Sequence, residues 1–312
     1  MKTVLGTMTF SEQVDQATAQ SMLDLFAASG NFELDTAYDY CEGGTEKLLG
    51  ALLPADKRNK FYIASKVNPW NEQGLQPAQV KKQMKEILQR LGSDHIDLLY
   101  LHSPDLDTPI EQTLAACFEM YQQGKFKDFG LSNFSSWQVA EVVEICRKNG
   151  WMEPSVYQGM YNALTRDVEA ELFPCLRNYG ISFYAYNPLA GGLLTGKYKS
   201  FDEFPDSGRF ADRNGYQPRY WKQEYFNVLQ KLGEACTDFG INPTQAAISW
   251  LVNHSNLAAD KGDRIILGVT RIEHLQANMA ACNQPPLDQV IIDILDQGWE
   301  IIKPNCFRYF RP

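Results

Sequence analysis

Short apolar runs alternate along the chain with longer stretches of helical period, and the alternation continues nearly to the end. Strands are predicted at KTVLG (Lys2–Gly6), NFELD (Asn31–Asp35), KFYIASK (Lys60–Lys66), HIDLLYLH (His95–His102), FKDFGLSN (Phe126–Asn133), PSVYQG (Pro154–Gly159), ISFYAYN (Ile181–Asn187) and RIILG (Arg264–Gly268). Between them, apolar residues at i, i+3, i+4 spacing predict helices over Gln16–Ala28, Pro77–Leu91, Ile110–Gln123, Ser136–Lys148 and Arg166–Asn178, with glycines near their ends. The stretch Tyr198–Gln217 has no period and reads as a loop over one end of the fold. Helical sequence resumes at Arg219–Phe239, Thr244–Val252 and Leu287–Ile302.

Eight strands each followed by a helix is the count for a closed (β/α)8 TIM barrel, and 312 residues suit one such domain over 1–312 with extended C-terminal loops. Two doubly wound domains would leave a linker rich in Pro, Gly or Ser, and none is present. Composition then narrows the partners. The net charge is −9 and the basic residues are scattered, so no stripe exists to displace counterions from nucleic acid. Seven widely spaced cysteines with no CxxC predict a reduced compartment. The start, MKTVLGTMTF, reads as neither signal peptide nor membrane span, which predicts a cytoplasmic protein with no membrane partner.

The chemistry lies in where the polar residues fall. Six strands turn polar at their carboxyl ends, at Asp35, Lys66, His102, Ser132 with Asn133, Gln158, and Tyr186 with Asn187. Each alone has a plain reading: a capping Asp, a solvated Lys, a core His. In a (β/α)8 barrel those ends meet on one face, and six together point to a shared site. The set has no metal logic, because only four histidines occur and there is no HxH or HExxH. Asp, Lys, His and Tyr suit proton transfer instead. A tyrosine, with a pKa of about 10, is a weak acid at neutral pH. An ammonium such as Lys66, held by Asp35, would stabilise the phenolate and lower that value, while His102 orients a carbonyl oxygen. Such a site gives a proton to oxygen as hydride reaches carbon, and the hydride must come from a nicotinamide or similar cofactor. The corner LDTAYDYCEGGTEKLLG (Leu34–Gly50) offers both Tyr38 and Tyr40, and the pattern does not choose between them.

No GxGxxG follows the first strand, which speaks against the usual dinucleotide fold. Gly191 to Lys197 in PLAGGLLTGKY matches GxxxxGK, but Tyr198 stands where a magnesium-binding Ser or Thr belongs, so a P-loop phosphohydrolase is disfavoured. The glycines and Lys197 can still bring backbone amides to a pyrophosphate, or form only a glycine-rich turn. In GVTRIEHLQAN (Gly268–Asn278), Thr270 is expected to cap a helix whose end receives a phosphate. Arg271 would pair with a 2′-phosphate, with His274 assisting, or else be merely solvated.

The DTAxxY corner, SK ending the third strand, DLLYLH, GLSNF, VYQ, NPLAGGLLTGKY and LGVTRIEHLQAN resemble the aldo-keto reductase superfamily, in order and spacing, over essentially the whole chain. VYQGMYNALTR, ELFPCLR and FYAYNPLAGGLLTGKY are similar to its aflatoxin-aldehyde and succinic-semialdehyde reductase subfamily. The resemblance implies NADPH-dependent reduction of aldehydes and some ketones, with Tyr40 as proton donor supported by Asp35, Lys66 and His102. Tyr38 becomes a packing neighbour and Asp39 a surface charge. It places the nicotinamide carboxamide on Ser132, Asn133 and Gln158, beside Asp35, and the ring on Tyr186. The pyrophosphate would run along Asn187, Leu189, Gly191, Leu193 and Lys197, and the adenosine phosphate along Thr270, Arg271, His274 and Asn278. Many members carry arginine where His274 stands, so the phosphate grip rests more on Arg271 or Thr270.

For substrate, the resemblance implies aromatic or carboxylate-bearing aldehydes beside His102. Trp70, Phe134, Tyr161, Phe210, Tyr220, Trp221 and Phe310 are candidate apolar walls, and Arg209, Arg219, Arg308 and Arg311 candidate carboxylate partners, Arg219 and Arg311 first. The tail CFRYFRP is expected to fold over the mouth, in a monomer or from a partner in a homodimer. The superfamily also includes ion-channel accessory proteins, which leaves an NADPH-binding regulatory subunit as the alternative.

Overall fold

The strands follow one another around a closed barrel: β1 (Lys2–Gly6), β2 (Glu33–Asp35), β3 (Tyr62–Val67), β4 (Leu98–Leu101), β5 (Asp128–Ser132), β6 (Val156–Met160), β7 (Ser182–Tyr186) and β8 (Arg264–Gly268). This computed structural model describes residues 1–311. Every neighbouring pair is parallel, and β8 closes on β1 from Lys2↔Arg264 to Gly6↔Gly268. Parallel pairing demands a crossover after each strand, which the predicted helices supply. Helix Pro77–Leu91 shows how period becomes packing: Val80, Met84, Ile87 and Leu91 are buried on one face while charged residues cover the other.

Two apolar layers result. The larger lies between strands and helices. The smaller fills the barrel with Val4, Ala64, Leu98, Tyr100, Val156, Tyr184 and Ile266. Gly130 makes room for it, since a Cβ there would lie 2.5 Å from the Tyr100 ring.

Several expected boundaries move. The helix predicted from Arg166 begins at Leu172, because Arg166 turns inward: its guanidinium covers the Trp250 ring at 4.1 Å and meets Asp296 at 2.7 Å. The helix predicted over Arg219–Phe239 is interrupted, running Gln217–Tyr220 and then Gln223–Asp238. Between them Trp221 packs against Tyr198, Phe204, Phe210 and Phe226, and its indole donates to the Phe201 carbonyl at 2.9 Å. The long loop after β7 is therefore built around an aromatic cluster, with one helical turn at Arg209–Asp212. Arg213 ties it to Glu12, on the loop after β1. Thr270 is not the expected cap; Arg271 holds the N-cap position of helix Ile272–Ala281 without a side-chain bond, and Thr270 lines a surface cavity with Ser11, Asp15 and Thr18.

No described helix is long and apolar enough to cross a membrane, and no three metal-ligating side chains cluster among the described residues. The left-handed non-glycine residues Ser11, Cys41, Glu42, Asn133, Asn187 and Ala190 all lie on segments leaving β1, β2, β5 or β7. Such conformations cost energy and gather at functional sites. Here they mark the carboxyl-end mouth.

Candidate active site

At the mouth, Asp35 ends β2 and Lys66 lies near the end of β3, both buried. Lys66 Nζ donates to both Asp35 oxygens at 2.8 Å and to the Thr36 carbonyl at 2.7 Å. All three ammonium protons are thereby used. Gln158 Nε2, from β6, donates to the same Asp35 Oδ1 at 2.7 Å. A buried charge pair is tolerable only when its remaining polar sites are filled in this way.

Beyond Asp35 the chain leaves the strand and enters the 3-10 turn Tyr40–Gly43, so strand alternation no longer governs the tyrosines. Tyr38 turns outward: its hydroxyl donates to Glu86 at 2.6 Å and its ring lies 4.4 Å from the Arg90 guanidinium. Tyr40 turns to the mouth, its ring 5.0 Å from Lys66 Nζ and 6.1 Å from the His102 ring. Arg90 clamps the turn by donating to the Tyr38 carbonyl at 2.9 Å and to Glu46 at 3.1 Å. Gly43, at φ 83°, is required beneath it, because a Cβ would fall 2.4 Å from that guanidinium.

Lys66 does not pull the Tyr40 phenol down as expected. Burial pushes its pKa well above the ordinary value, and the charges of Asp35 and Asp39 add to the effect. The ammonium is already compensated by Asp35, so the phenol keeps its proton throughout the neutral range. Asp39 is not the free surface charge expected either. Its Oδ1 faces His102 Nδ1 at 3.4 Å. Burial holds the His102 pKa below the ordinary imidazole value, against the opposing pull of Asp39, so the ring is mostly neutral at pH 7.

Around these four, Asn133 adopts φ 63° and joins three neighbours. Its amide donates to the His102 carbonyl at 2.8 Å and to Ser132 Oγ at 3.0 Å, and its oxygen accepts from the Tyr186 hydroxyl at 2.8 Å. Asn187 comes next at φ 55°; its oxygen accepts from Tyr216 at 3.3 Å, while its amide nitrogen is buried without a partner among the described residues. Leu193 is fully buried, so only its backbone can serve a ligand, whereas Leu189 is partly buried and Lys197 exposed. The GxxxxGK stretch forms a 3-10 turn, Ala190–Thr195, and not the long helix of a P-loop. Arg271 and His274 are exposed and Asn278 buried; with Thr270 they stand apart from this network, after β8.

The C-terminal tail of the same chain lies across the mouth. Arg311 donates its backbone N–H to the Asn133 carbonyl at 2.9 Å, and its guanidinium lies 4.9 Å from the Trp70 ring. Trp70 in turn packs 4.7 Å from His102. Arg219 sits over Phe307 and Tyr216, its Nε buried without a partner among the described residues. Of the expected apolar walls, Tyr161 belongs instead to the outer core, edge-on to Phe173, Phe183 and Trp250. Phe210, Tyr220 and Trp221 are sealed within the loop cluster. Sequence reasoning missed Arg90, Tyr216 and Tyr309, whose hydroxyl accepts from the Ser136 amide at 3.1 Å and anchors the tail. None of these carries a local signal, because each acts on a residue distant in the chain.

Comparison with known proteins agrees with this arrangement. Residues 2–300 match the aldo/keto reductase family. Aflatoxin B1 aldehyde reductase member 2 of Mus musculus is 45% identical across 99% of this chain and 87% of its own length. Aflatoxin B1 aldehyde reductase member 4 of Homo sapiens is 42% identical across 99% and 96%, and aldo-keto reductase pigE of Monascus ruber 34% across 93% and 89%. With a family match along nearly the entire chain and relatives aligned over most of their length, the chain belongs to the aldo/keto reductase family and is an oxidoreductase.

Proposed function

We propose that the protein reduces aldehydes, and some ketones, to alcohols with NADPH, and that Tyr40 supplies the proton. The observation that carries this reading is the position of the Tyr40 ring, 5.0 Å from the Lys66 ammonium and beside His102 at the mouth. The residues suit a nicotinamide dinucleotide. Among the described residues the buried Asn187 amide nitrogen has no partner, and Gly191 and Gly192 turn the backbone beside it through φ 70° and 102°.

Ser132, Asn133 and Gln158 would hold the carboxamide and Tyr186 the ring, with Asn187 to Lys197 along the pyrophosphate and Arg271, His274 or Thr270 on the 2′-phosphate. When bound, the reduced nicotinamide supplies hydride to the carbonyl carbon. Tyr40, kept protonated by its buried setting, gives its proton to the carbonyl oxygen. Lys66, held in place by Asp35, then faces the phenolate left behind, and His102 orients the oxygen. Trp70 and the tail narrow the mouth and exclude water. Arg311 and Arg219 bring two guanidiniums to the substrate side, which suits an aldehyde bearing a carboxylate.

The test monitors NADPH absorbance with 4-nitrobenzaldehyde and with succinic semialdehyde. Turnover of both is expected, and Arg311→Met should raise KM for the semialdehyde by roughly 10- to 100-fold while sparing the neutral aldehyde. Tight NADPH binding with no turnover of either would overturn the enzyme reading in favour of a regulatory subunit.

A further inference from the structure

Asp39 directly precedes Tyr40, and its carboxylate is turned to the imidazole of His102: Oδ1 lies 3.4 Å from His102 Nδ1. Both atoms are buried, and among the described residues neither has a hydrogen-bond partner in line. Unpaired buried polar atoms are costly, so a small rotation that joins these two is favoured. The geometry points to Asp39 as a positioning residue for His102, one that holds the imidazole proton on Nδ1 and leaves Nε2 as the nitrogen turned to the substrate. This rests on the proposed role of His102 in orienting the carbonyl oxygen.

The consequence is chemical. A carboxylate accepts only, so Asp39 selects the neutral tautomer with hydrogen on Nδ1. In that form Nε2 carries a lone pair and cannot donate to a carbonyl oxygen. Donation becomes available when His102 takes up a second proton, and the Asp39 charge stabilises the imidazolium that results. Lys66, from β3, and Arg311, from the tail, oppose it, as does burial. The Tyr40 and Trp70 rings complete the surroundings. Hydrogen bonding to the substrate oxygen is then strongest on the acid side of neutrality. The carboxamide introduced by Asp39→Asn can instead donate to Nδ1, which places the single proton on Nε2 and makes a neutral donor.

The decisive experiment is imidazole ¹⁵N NMR of the protein without aldehyde, with His102 assigned by a His102→Gln variant. Wild type should show the Nδ1–H tautomer. Asp39→Asn should shift it toward Nε2–H and lower the titration midpoint by about one pH unit, the usual effect of losing an opposite charge at this range. Asp39→Glu should restore the wild-type tautomer. In parallel, kcat/KM for 4-nitrobenzaldehyde should rise as pH falls through the His102 midpoint in wild type and be flatter in Asp39→Asn. An unchanged tautomer and midpoint in Asp39→Asn, or identical pH profiles, would overturn the inference. Failure of the functional reading looks different: the NMR coupling persists while no aldehyde is reduced.

Discussion

Lys66 Nζ lies 2.8 Å from each oxygen of Asp35, and the lysine is wholly sealed from water. Removing one partner leaves the other charge buried alone, which typically costs about 3–5 kcal/mol. Asp35→Asn is therefore expected to lower stability by about 4 kcal/mol in urea unfolding. Lys66→Met should cost less, because Gln158 still donates to the carboxylate. The double variant should be more stable than the sum of the single losses predicts. Simple additivity would show that the pair is not coupled.

Tyr40 and Tyr38 should separate cleanly. Tyr40→Phe removes only the transferable proton, so NADPH binding should stay near wild type while aldehyde turnover falls by about 10²- to 10⁴-fold. Tyr38→Phe loses a hydroxyl bonded to Glu86 outside the mouth. It should keep its turnover and lose about 1 kcal/mol of stability. Steady-state kinetics and NADPH fluorescence titration check both, and the reverse outcome would move the proton donor to Tyr38.

The contrast between these tyrosines shows what the sequence could and could not carry. Barrel topology was legible because the same strand-then-helix period recurs eight times, and each recurrence supports the others. The polar strand ends were legible for the same reason. Tyr38 and Tyr40 were not separable by alternation, because the strand stops at Asp35 and a 3-10 turn takes over from Tyr40. Arg166 looked like the start of a helix until Trp250 and Asp296, far along the chain, drew its side chain inward. Asp39 looked like a surface charge because its partner, His102, arrives from another strand. Tertiary partners decided each of these, and local pattern contains no trace of them.

At the opposite end of the barrel, Glu33 and Arg264 pair at 2.5 Å near the bases of β2 and β8. Burial pushes the Glu33 carboxyl up to about 7, against the pull of Arg264. A folded value raised above the unfolded one, 4.5, means the folded state holds this proton more tightly. The associated stability is present at low pH and is lost as pH rises through about 7, by roughly 3 kcal/mol. Glu33→Gln should remove that slope. Urea midpoints of wild type and variant, compared from pH 5 to 8, should converge as the pH falls and separate as it rises in favour of the variant. Parallel curves would show that Glu33 does not titrate there.

Gly191 tests the turn proposed to carry the pyrophosphate. Its φ is 70°, a region that costs a residue with a Cβ about 1–2 kcal/mol. An added Cβ would also lie 2.7 Å from Cδ1 of Tyr216. Tyr216 cannot yield freely, since Phe210 meets its ring edge-on and Arg209 and Arg219 lie against it. Displacing it breaks the Tyr216 hydroxyl's bond to Asn187, the residue whose buried amide lacks a partner. Gly191→Ala should therefore weaken NADPH binding by about tenfold, equivalent to about 1.4 kcal/mol, read by fluorescence titration. The catalytic corner lies on other strands, so kcat at saturating NADPH should change little. Unchanged NADPH affinity together with a loss of kcat would place the damage at Tyr40 and remove Gly191 from the cofactor path.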